Sequence, residues 1–208
     1  MIAERIQFHG QSGTINAFLQ TPSQKPSKLA VVLPGAGYSC RQPLLHFAIE
    51  IMLCKGLQVL ALDKIYADDP AWSVHMSEEE ALKIVENDAV AVFDQIAARF
   101  TRTPDVLFGR SLGTYAMACV LEKKLVHPQK IIWQTPALRN KWSTIRDCNI
   151  PGFSIIGTAD PRYKECLPYL SKEKIIIEGA DHGMEIPDDP LRSIEILKQV
   201  TQATNDWL

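Results

Sequence analysis

The sequence predicts an α/β fold in which a mostly parallel β-sheet lies between layers of helices. Short apolar runs of strand length alternate with longer runs of helical periodicity along most of the 208 residues. Residues 5–9 and 14–19 instead alternate in polarity around a Gly-Gln-Ser-Gly turn, which is typical of an antiparallel β-hairpin. The apolar fraction of 46% and the length suit one sizeable core, so we expect residues 1–208 to form a single domain.

After the hairpin, the first half of the chain predicts three buried strands and two helices. Residues 29–33 are continuously apolar, as expected for a strand that is covered on both faces. A helix from about 43 to 55 is followed by Gly56, a favourable C-terminal cap. Ser77 and Glu80 form a capping box, which predicts where a longer helix begins. The expected strands are 29–33, 58–63 and 106–108, and the longer helix covers about 77–100.

The second half of the chain continues the same alternation. We expect strands at 130–134, 153–157 and 174–178, with helices from 114 to about 125 and from 189 to 203. Strands that alternate with helices are joined by right-handed crossovers, and they therefore run parallel. The antiparallel hairpin is expected at one edge of this parallel sheet.

Composition and charge exclude several classes of function. The formal net charge is −2, and no long basic cluster indicates a nucleic-acid partner. No apolar run is long enough for a membrane span, and no secretion signal precedes the first strand. The five cysteines have spacings that fit neither a disulfide framework nor a zinc site, so we expect reduced thiols, a cytoplasmic location and no metal or organic cofactor.

One pentapeptide carries a chemical signal. Gly109-Arg110-Ser111-Leu112-Gly113 fits G-x-S-x-G between the predicted strand at 106–108 and a helical run. A serine at such a sharp strand-to-helix turn is held in a strained backbone conformation with its hydroxyl exposed. Glycine is needed on each side because a side chain there would collide with the neighbouring strand or helix. The pattern predicts a nucleophilic serine at 111.

Two further strand ends offer partners for this serine. In open α/β sheets, functional residues gather at the carboxyl ends of the strands. Asp160 follows the strand at 153–157, and His182 follows the strand at 174–178. A serine hydroxyl needs a neighbouring base to accept its proton, and a carboxylate orients that base. The chain order Ser111, Asp160, His182 is the nucleophile, acid and base order of one class of serine enzymes.

These motifs resemble those of small, lidless α/β-hydrolase-fold serine hydrolases of the esterase and dienelactone-hydrolase type, over essentially the whole chain from residue 29. The resemblance implies a three-layer α/β-hydrolase fold without a cap domain. It also implies that Ser111 is the nucleophile, His182 the base and Asp160 the acid. The backbone N–H groups of Leu112 and Ala36 would then form the oxyanion hole.

Several assignments keep alternatives. Pro34 replaces the histidine of the family's oxyanion loop, and Gly37 or Tyr38 could supply the second donor; these two residues are also candidates for the substrate pocket. Asp181 and Asp63 are rivals for the acid. Arg110 either anchors the turn through a salt bridge or contacts substrate. The remaining histidines, which are expected to be structural or solvated, are His9, His46, His75 and His127.

The resemblance implies hydrolysis of a carboxylic ester or thioester, with a small-molecule acyl substrate as partner and neither nucleic acid nor membrane involved. Residues 136–152 leave too little length for a cap, so we expect a shallow pocket walled by loops such as 66–76. Two other functions stay open at this point: a non-catalytic binding protein of the same fold, and a serine peptidase acting on short peptides.

Overall fold

The computed structural model describes residues 2–26, 28–68, 72, 76–100 and 102–208. His75 and most of the loop at 66–76 lie outside these residues. The described chain forms one eight-stranded sheet in the order β1-β2-β4-β3-β5-β6-β7-β8. Its strands are β1 (Ile2–Gly10), β2 (Gly13–Thr21), β3 (Lys28–Leu33), β4 (Leu57–Asp63), β5 (Val106–Arg110), β6 (Lys130–Gln134), β7 (Gly152–Gly157) and β8 (Glu173–Ile177).

The predicted hairpin is confirmed at one edge of this sheet. β1 pairs with β2, and β2 with β4, in antiparallel orientation. The other neighbours, from β4 through β3 to β8, pair in parallel. The carboxyl ends of β3, β5, β7 and β8 therefore meet along one edge, which is where the predicted functional residues lie.

Helices cover both faces of the sheet and complete three layers. Those of the described residues are α1 (Pro43–Cys54), α2 (Glu78–Phe100), α3 (Leu112–Glu122), α4 (Thr144–Asp147), α5 (Tyr163–Cys166) and α6 (Pro190–Trp207). α2 packs with α3 on one face, and α1 packs with α6 on the other. The segment between β6 and β7 holds only α4 and a three-residue 3₁₀ helix, so the prediction of no cap domain is confirmed.

Local sequence signals explain several helix and strand positions. The capping box at the start of α2 is present, since Ser77 N donates to Glu80 Oε2 at 2.8 Å and Glu80 N donates to Ser77 Oγ at 3.2 Å. β3 is buried over residues 29–33, because β4 and β5 flank it and helices cover both of its faces. None of the helices in the described residues combines the length and the apolar character needed to cross a bilayer.

The sequence misplaced the end of β5 and the start of α3. β5 continues through Gly109 to Arg110, two residues beyond the prediction, because these residues pair with Trp133 and Gln134 of β6. α3 begins at Leu112, two residues earlier than predicted. A glycine normally weakens a strand. Gly109 nevertheless has strand conformation, because it pairs with Trp133 of β6. Only Ser111 separates the strand from the helix.

The C-terminal helix is also longer than predicted. α6 ends at Trp207 instead of 203, since tertiary contacts hold its last turn. The Trp207 ring stacks on Phe153 of β7 with centroids 5.5 Å apart. The ammonium group of Lys130 donates to the Trp207 carbonyl at 2.7 Å. These contacts come from distant segments, which helical periodicity alone does not reveal.

Candidate active site

Ser111 occupies a strained turn between β5 and α3. Its φ of 50° and ψ of −119° lie outside the regions that L-residues favour, at a cost of roughly 1–3 kcal/mol. Its N–H donates to the carbonyl of Gln134 at 2.9 Å. A Cβ at Gly109 would lie 2.8 Å from the Gly113 carbonyl oxygen, and a Cβ at Gly113 would collide with the Leu33 carbonyl. Both glycines are therefore required by close packing, as the pentapeptide predicts.

The structure brings Ser111, His182 and Asp160 into one hydrogen-bonded chain. Ser111 Oγ lies 2.8 Å from His182 Nε2. The other ring nitrogen, Nδ1, lies 2.6 Å from Asp160 Oδ2. An imidazole whose Nδ1–H donates to the carboxylate leaves Nε2 free to accept the serine proton. This arrangement is the geometry of a nucleophile, a base and an orienting acid.

Asp160 is almost fully buried, with 3% of its surface exposed. Burial alone would raise the pKa of this carboxyl. Hydrogen bonds from His182 and from the Arg162 backbone N–H, at 2.8 Å from Oδ1, outweigh burial and hold the pKa below its usual range. The carboxylate therefore stays charged at neutral pH, where it can stabilise an imidazolium.

The two rival carboxylates have other partners. Asp181 Oδ1 accepts from the N–H groups of Gly183 at 2.7 Å and Glu185 at 3.0 Å, which shapes the loop that carries His182. Asp63 lies 3.6 Å from the guanidinium of Arg41. Within the described residues, Asp160 is the one carboxylate of the three that contacts the His182 ring.

The predicted oxyanion donors flank Ser111 from two sides. Leu112 opens α3, so its N–H belongs to the positive end of a helix. The loop after β3 lies against the serine, since a Cβ at Gly35 would be 3.4 Å from Ser111 Cβ. In the described part of the chain, neither Leu112 N–H nor Ala36 N–H donates a hydrogen bond. Both groups are thus free for an acceptor.

The alternatives in the same loop have different surroundings. Gly37 is exposed, and a Cβ there would meet only Ala67, at 3.9 Å. Tyr38 is half-buried: its hydroxyl accepts from the Leu44 N–H at 3.0 Å, and its carbonyl accepts from Gly35 N–H at 3.1 Å. Burial raises the pKa of the Tyr38 phenol, so it stays neutral. These two hydrogen bonds therefore hold the side chain and the backbone of Tyr38 in place within the loop.

Arg110 is the residue whose role the sequence left most open. It is 3% exposed, and among the described residues it forms no salt bridge. The interpretation that Arg110 anchors the turn through a salt bridge is therefore wrong. Its Nη2 instead donates to the backbone carbonyl of His182 at 3.0 Å. Its Cζ lies 3.7 Å from the centroid of the Tyr38 ring. The guanidinium thus contacts both loops that adjoin the serine.

Sequence reasoning missed Thr114 altogether. Its buried hydroxyl donates to the Ser111 carbonyl at 2.5 Å and accepts from the Ala137 N–H at 2.9 Å. It therefore ties the serine turn to the segment that follows β6. A threonine three residues after the serine, in the first turn of a helix, is a signal that could have indicated this local hydrogen bond.

An apolar cavity begins beside the oxyanion donors. It is small, with about 30 Å³ of space, and lies between the sheet, α2 and α3. Its lining includes Pro34 and Leu112, which adjoin the serine turn and its neighbouring loop, and the helix residues Ala89 and Ala116. The shallow pocket walled by loops stays a prediction, because most of the loop at 66–76 lies outside the described residues.

Among the described residues, the remaining histidines and the Cys40 thiol make no hydrogen bond to Ser111, Asp160 or His182. His9 is in β1, His46 is in α1 against the Phe47 ring, and His127 is an exposed residue before β6. The Cys40 thiol is buried and donates to the Leu62 carbonyl at 3.2 Å; burial raises its pKa, so it is an inert thiol. No three histidine, cysteine or acidic side chains of the described residues converge in a way that could hold a metal ion.

Comparisons with known proteins find similarity of structure alone. No protein-family model matches the sequence, and no curated protein matches it significantly. An α/β serine hydrolase without a lid from Xanthomonas campestris is 18% identical, covers 99% of this chain and 95% of its own, and has a TM-score of 0.66. Dienelactone hydrolase from Anabaena variabilis is 18% identical over 99% of this chain and 96% of its own, with a TM-score of 0.74.

A third solved structure, Est1E from Butyrivibrio proteoclasticus, is 14% identical over 98% of this chain and 96% of its own, with a TM-score of 0.73. Est1E has also been solved with ferulic acid bound. Because these proteins match nearly end to end, the similarity extends to the whole sheet and its helical layers. The chain therefore has the fold of the α/β serine hydrolases that lack a lid.

Proposed function

We propose that this chain is a serine hydrolase that cleaves a carboxylic ester or thioester through an acyl-enzyme on Ser111. The observation that carries the proposal is the strained Ser111 with its hydroxyl 2.8 Å from His182 Nε2, while Nδ1 lies 2.6 Å from Asp160. A serine that served only as a turn residue would need neither the strain nor the buried carboxylate behind the histidine.

The first half of the reaction forms the acyl-enzyme. Ser111 Oγ attacks the carbonyl carbon of the substrate while His182 Nε2 takes the hydroxyl proton. The carbonyl oxygen becomes an oxyanion, which the N–H groups of Leu112 and Ala36 stabilise. As this intermediate collapses, His182 returns the proton to the departing alcohol or thiol, and the acyl group stays on Ser111.

Water completes the cycle. His182 accepts a proton from a water molecule, which attacks the acyl carbon and forms a second tetrahedral intermediate at the same oxyanion site. Collapse releases the carboxylic acid and returns the proton to Ser111 Oγ. The Asp160 carboxylate stabilises the imidazolium in both halves, and its lowered pKa keeps it charged throughout.

The cavity beside Leu112 has about 30 Å³ of space and therefore supports a short acyl chain at most. Its walls are mostly apolar, and its lining includes Leu112, whose N–H we assign to the oxyanion hole. The similarity to dienelactone hydrolase and to Est1E, which binds ferulic acid, adds lactones and aromatic esters to the compounds worth testing.

A fluorophosphonate probe tests the proposal, because it labels only serines that are activated as nucleophiles. Wild-type protein should be labelled, Ser111→Ala should not, and Ser39→Ala should be labelled as wild type. A parallel panel of p-nitrophenyl esters and acyl thioesters of increasing chain length, with a feruloyl ester, identifies the acyl group and the bond that is cleaved.

The outcomes separate the proposal from its two alternatives. Folded wild type that is neither labelled nor active on any ester would show a non-catalytic binding protein. Labelling with hydrolysis of short peptides, and none of esters, would show a peptidase.

We further propose that residues 1–208 act as one domain in a reducing, cytoplasmic compartment, without a cofactor and on small acyl substrates. The five cysteines are all free thiols, and Cys40, Cys119 and Cys166 are buried, which supports the choice of compartment. Mass spectrometry of protein purified without reductant, with a thiol-alkylating reagent added at lysis, tests this: a disulfide at any position would contradict it.

A further inference from the structure

We infer that Arg110 is a positioning residue, which fixes the loop that carries His182 and the oxyanion loop at the correct distance from Ser111. The inference rests on the proposed function, because it concerns the same site. Arg110 contacts the backbone of the first loop and the Tyr38 ring of the second. It acts through the two loops that it contacts.

The position of Arg110 in β5 directs its side chain toward both loops. Its neighbour Gly109 packs against α3, so the alternation of the strand sends the Arg110 side chain to the opposite face of the sheet. On that face, Nη2 donates to the His182 carbonyl at 3.0 Å, and Cζ lies 3.7 Å from the Tyr38 ring. Nη1 also packs against Gly35, since a Cβ there would be 3.4 Å from it.

These contacts join three segments that the chain otherwise leaves separate. β5 presents Ser111, the loop after β3 presents Ala36, and the loop after β8 presents His182. Asp160 fixes the His182 ring at Nδ1 and Asp181 shapes the loop, but neither carboxylate bonds to the backbone of His182. The hydrogen bond from Arg110 supports that backbone, and the stacked Tyr38 ring brings the oxyanion loop to the same guanidinium.

Burying the Arg110 guanidinium costs free energy, because the charged group loses its hydration. Arg110 is 3% exposed, has no salt bridge among the described residues, and its buried Nε has no hydrogen-bond partner there. Burial lowers its pKa, although the nearby charges of Asp160, Asp181 and Glu185 partly offset this effect. An apolar side chain would fill the same volume without desolvating a charge. We therefore infer that Arg110 contributes through its planar shape and its several N–H donors, and not through its volume alone.

Planarity separates arginine from lysine at this position. A guanidinium lies flat on an aromatic ring and donates in its own plane at the same time, whereas an ammonium is a point charge on a flexible stem. Lysine would keep the charge but could not hold the ring and the carbonyl together. The matched pair of variants Arg110→Lys and Arg110→Met therefore distinguishes geometry from charge.

The test measures kcat, KM, the fraction of active sites and the urea midpoint for both variants. Active sites are counted by stoichiometric fluorophosphonate labelling, so that kcat refers to competent molecules only. A misplacement of about 1 Å in a catalytic group can cost about 10²-fold in rate. We expect both variants to lose about 10²-fold in kcat per labelled serine, with KM for a short ester changed less than about threefold.

Arg146 offers a matched control. It lies over the Tyr169 ring at 5.0 Å, is exposed, and among the described residues makes no hydrogen bond to Ser111, Asp160 or His182, so Arg146→Met should keep the wild-type kcat. Wild-type kcat per labelled serine in Arg110→Met, or full activity in Arg110→Lys, would overturn the inference. The first result would mean a packing role, and the second a role of charge alone.

A second variant covers the case in which Arg110 variants do not fold. Tyr38→Leu removes the ring and leaves the guanidinium in place, and it should lower kcat per labelled serine by at least about tenfold if the stack positions the loop. Wild-type kcat in Tyr38→Leu would overturn the inference on its own. A wild-type protein without labelling or ester hydrolysis would instead overturn the proposed function, so the two failures are distinguishable.

Discussion

At the scale of single residues, the buried Asp160 carboxylate determines what His182 can do. Its Oδ2 holds Nδ1 at 2.6 Å, and its Oδ1 accepts from the Arg162 N–H at 2.8 Å. The carboxylate is thus fixed at both oxygens before any substrate binds. It selects the imidazole tautomer whose Nε2 can accept the serine proton.

We expect Asp160→Asn to lower kcat by about 10⁴-fold, as in a measured serine-enzyme triad, because an amide can donate to Nδ1 and stabilise the wrong tautomer. KM should change little, since the side chain is shielded from bound ester by the histidine. The measurement is steady-state hydrolysis of the best ester from the panel. Asp63→Asn is the matched control and should retain the wild-type kcat. If Asp63→Asn instead lost activity while Asp160→Asn retained it, the acid would be Asp63.

The same residues show how far sequence reasoning reaches. Ser111, Asp160 and His182 could be predicted, because chain order and position after a strand are visible in one dimension. The contact of Arg110 with the His182 carbonyl could not be predicted, since it joins the end of a strand to a loop 72 residues further along the chain. Thr114 lies between these cases: its bond to Ser111 is local, whereas its bond to Ala137 is not.

At the scale of elements, α2 and α3 each form part of the wall of the small apolar cavity beside Leu112. Both helices place an alanine at the cavity, Ala89 on α2 and Ala116 on α3. Small side chains at these two positions keep the helices close and still leave space between them. The cavity could not be predicted from the sequence. Helical periodicity shows that Ala89 lies on the buried face of α2, but it does not show that a gap remains between this face and α3.

Filling this gap should shift the preference for acyl chains. We expect Ala89→Leu to lower kcat/KM for butyrate or longer esters by at least about tenfold relative to acetate, since each excluded methylene is worth roughly 10-fold or more. Ala97→Leu, at an exposed position on the same helix, should leave the profile unchanged. An unchanged profile in Ala89→Leu would place the acyl chain elsewhere.

Boundaries of elements were harder to predict than their order. The hairpin, the parallel strands and the long helices follow from patterns that repeat along the chain. The end of β5 and the start of α3 were each misplaced by two residues, because Gly109 to Gly113 resembles a loop and is in fact the end of a strand, one strained residue and the start of a helix. The residues that carry the chemistry are those at which local preference and final conformation differ most.

At the scale of the whole molecule, three cysteine thiols are sealed in the two cores beside the sheet. Cys40 contributes to the core under α1, and Cys119 and Cys166 to the core under α2 and α3. Burial raises the pKa of Cys119 to about 11 and that of Cys166 to about 12, the charge of Asp160 adding to the effect on Cys166. Because of these raised pKa values, we expect the free energy of unfolding to depend on pH in the alkaline range.

The sign of this coupling follows from proton binding. Below about pH 8.5, the usual thiol pKa, Cys166 is protonated in both the folded and the unfolded state and contributes no pH dependence. Between about 8.5 and 12, the unfolded thiol loses its proton while the folded thiol keeps it. The unfolded state is then favoured, so the free energy of unfolding falls as pH rises.

We therefore expect the wild type to lose about 2 kcal/mol more stability than Cys166→Ala between pH 8 and pH 10. Urea unfolding of both proteins at several pH values, in the presence of reductant, measures the difference. The constant cost of removing the buried sulfur cancels, because only the change with pH is compared. Cys54→Ala, at an exposed thiol, should follow the wild type, and parallel pH profiles for wild type and Cys166→Ala would show that this thiol ionises equally in both states.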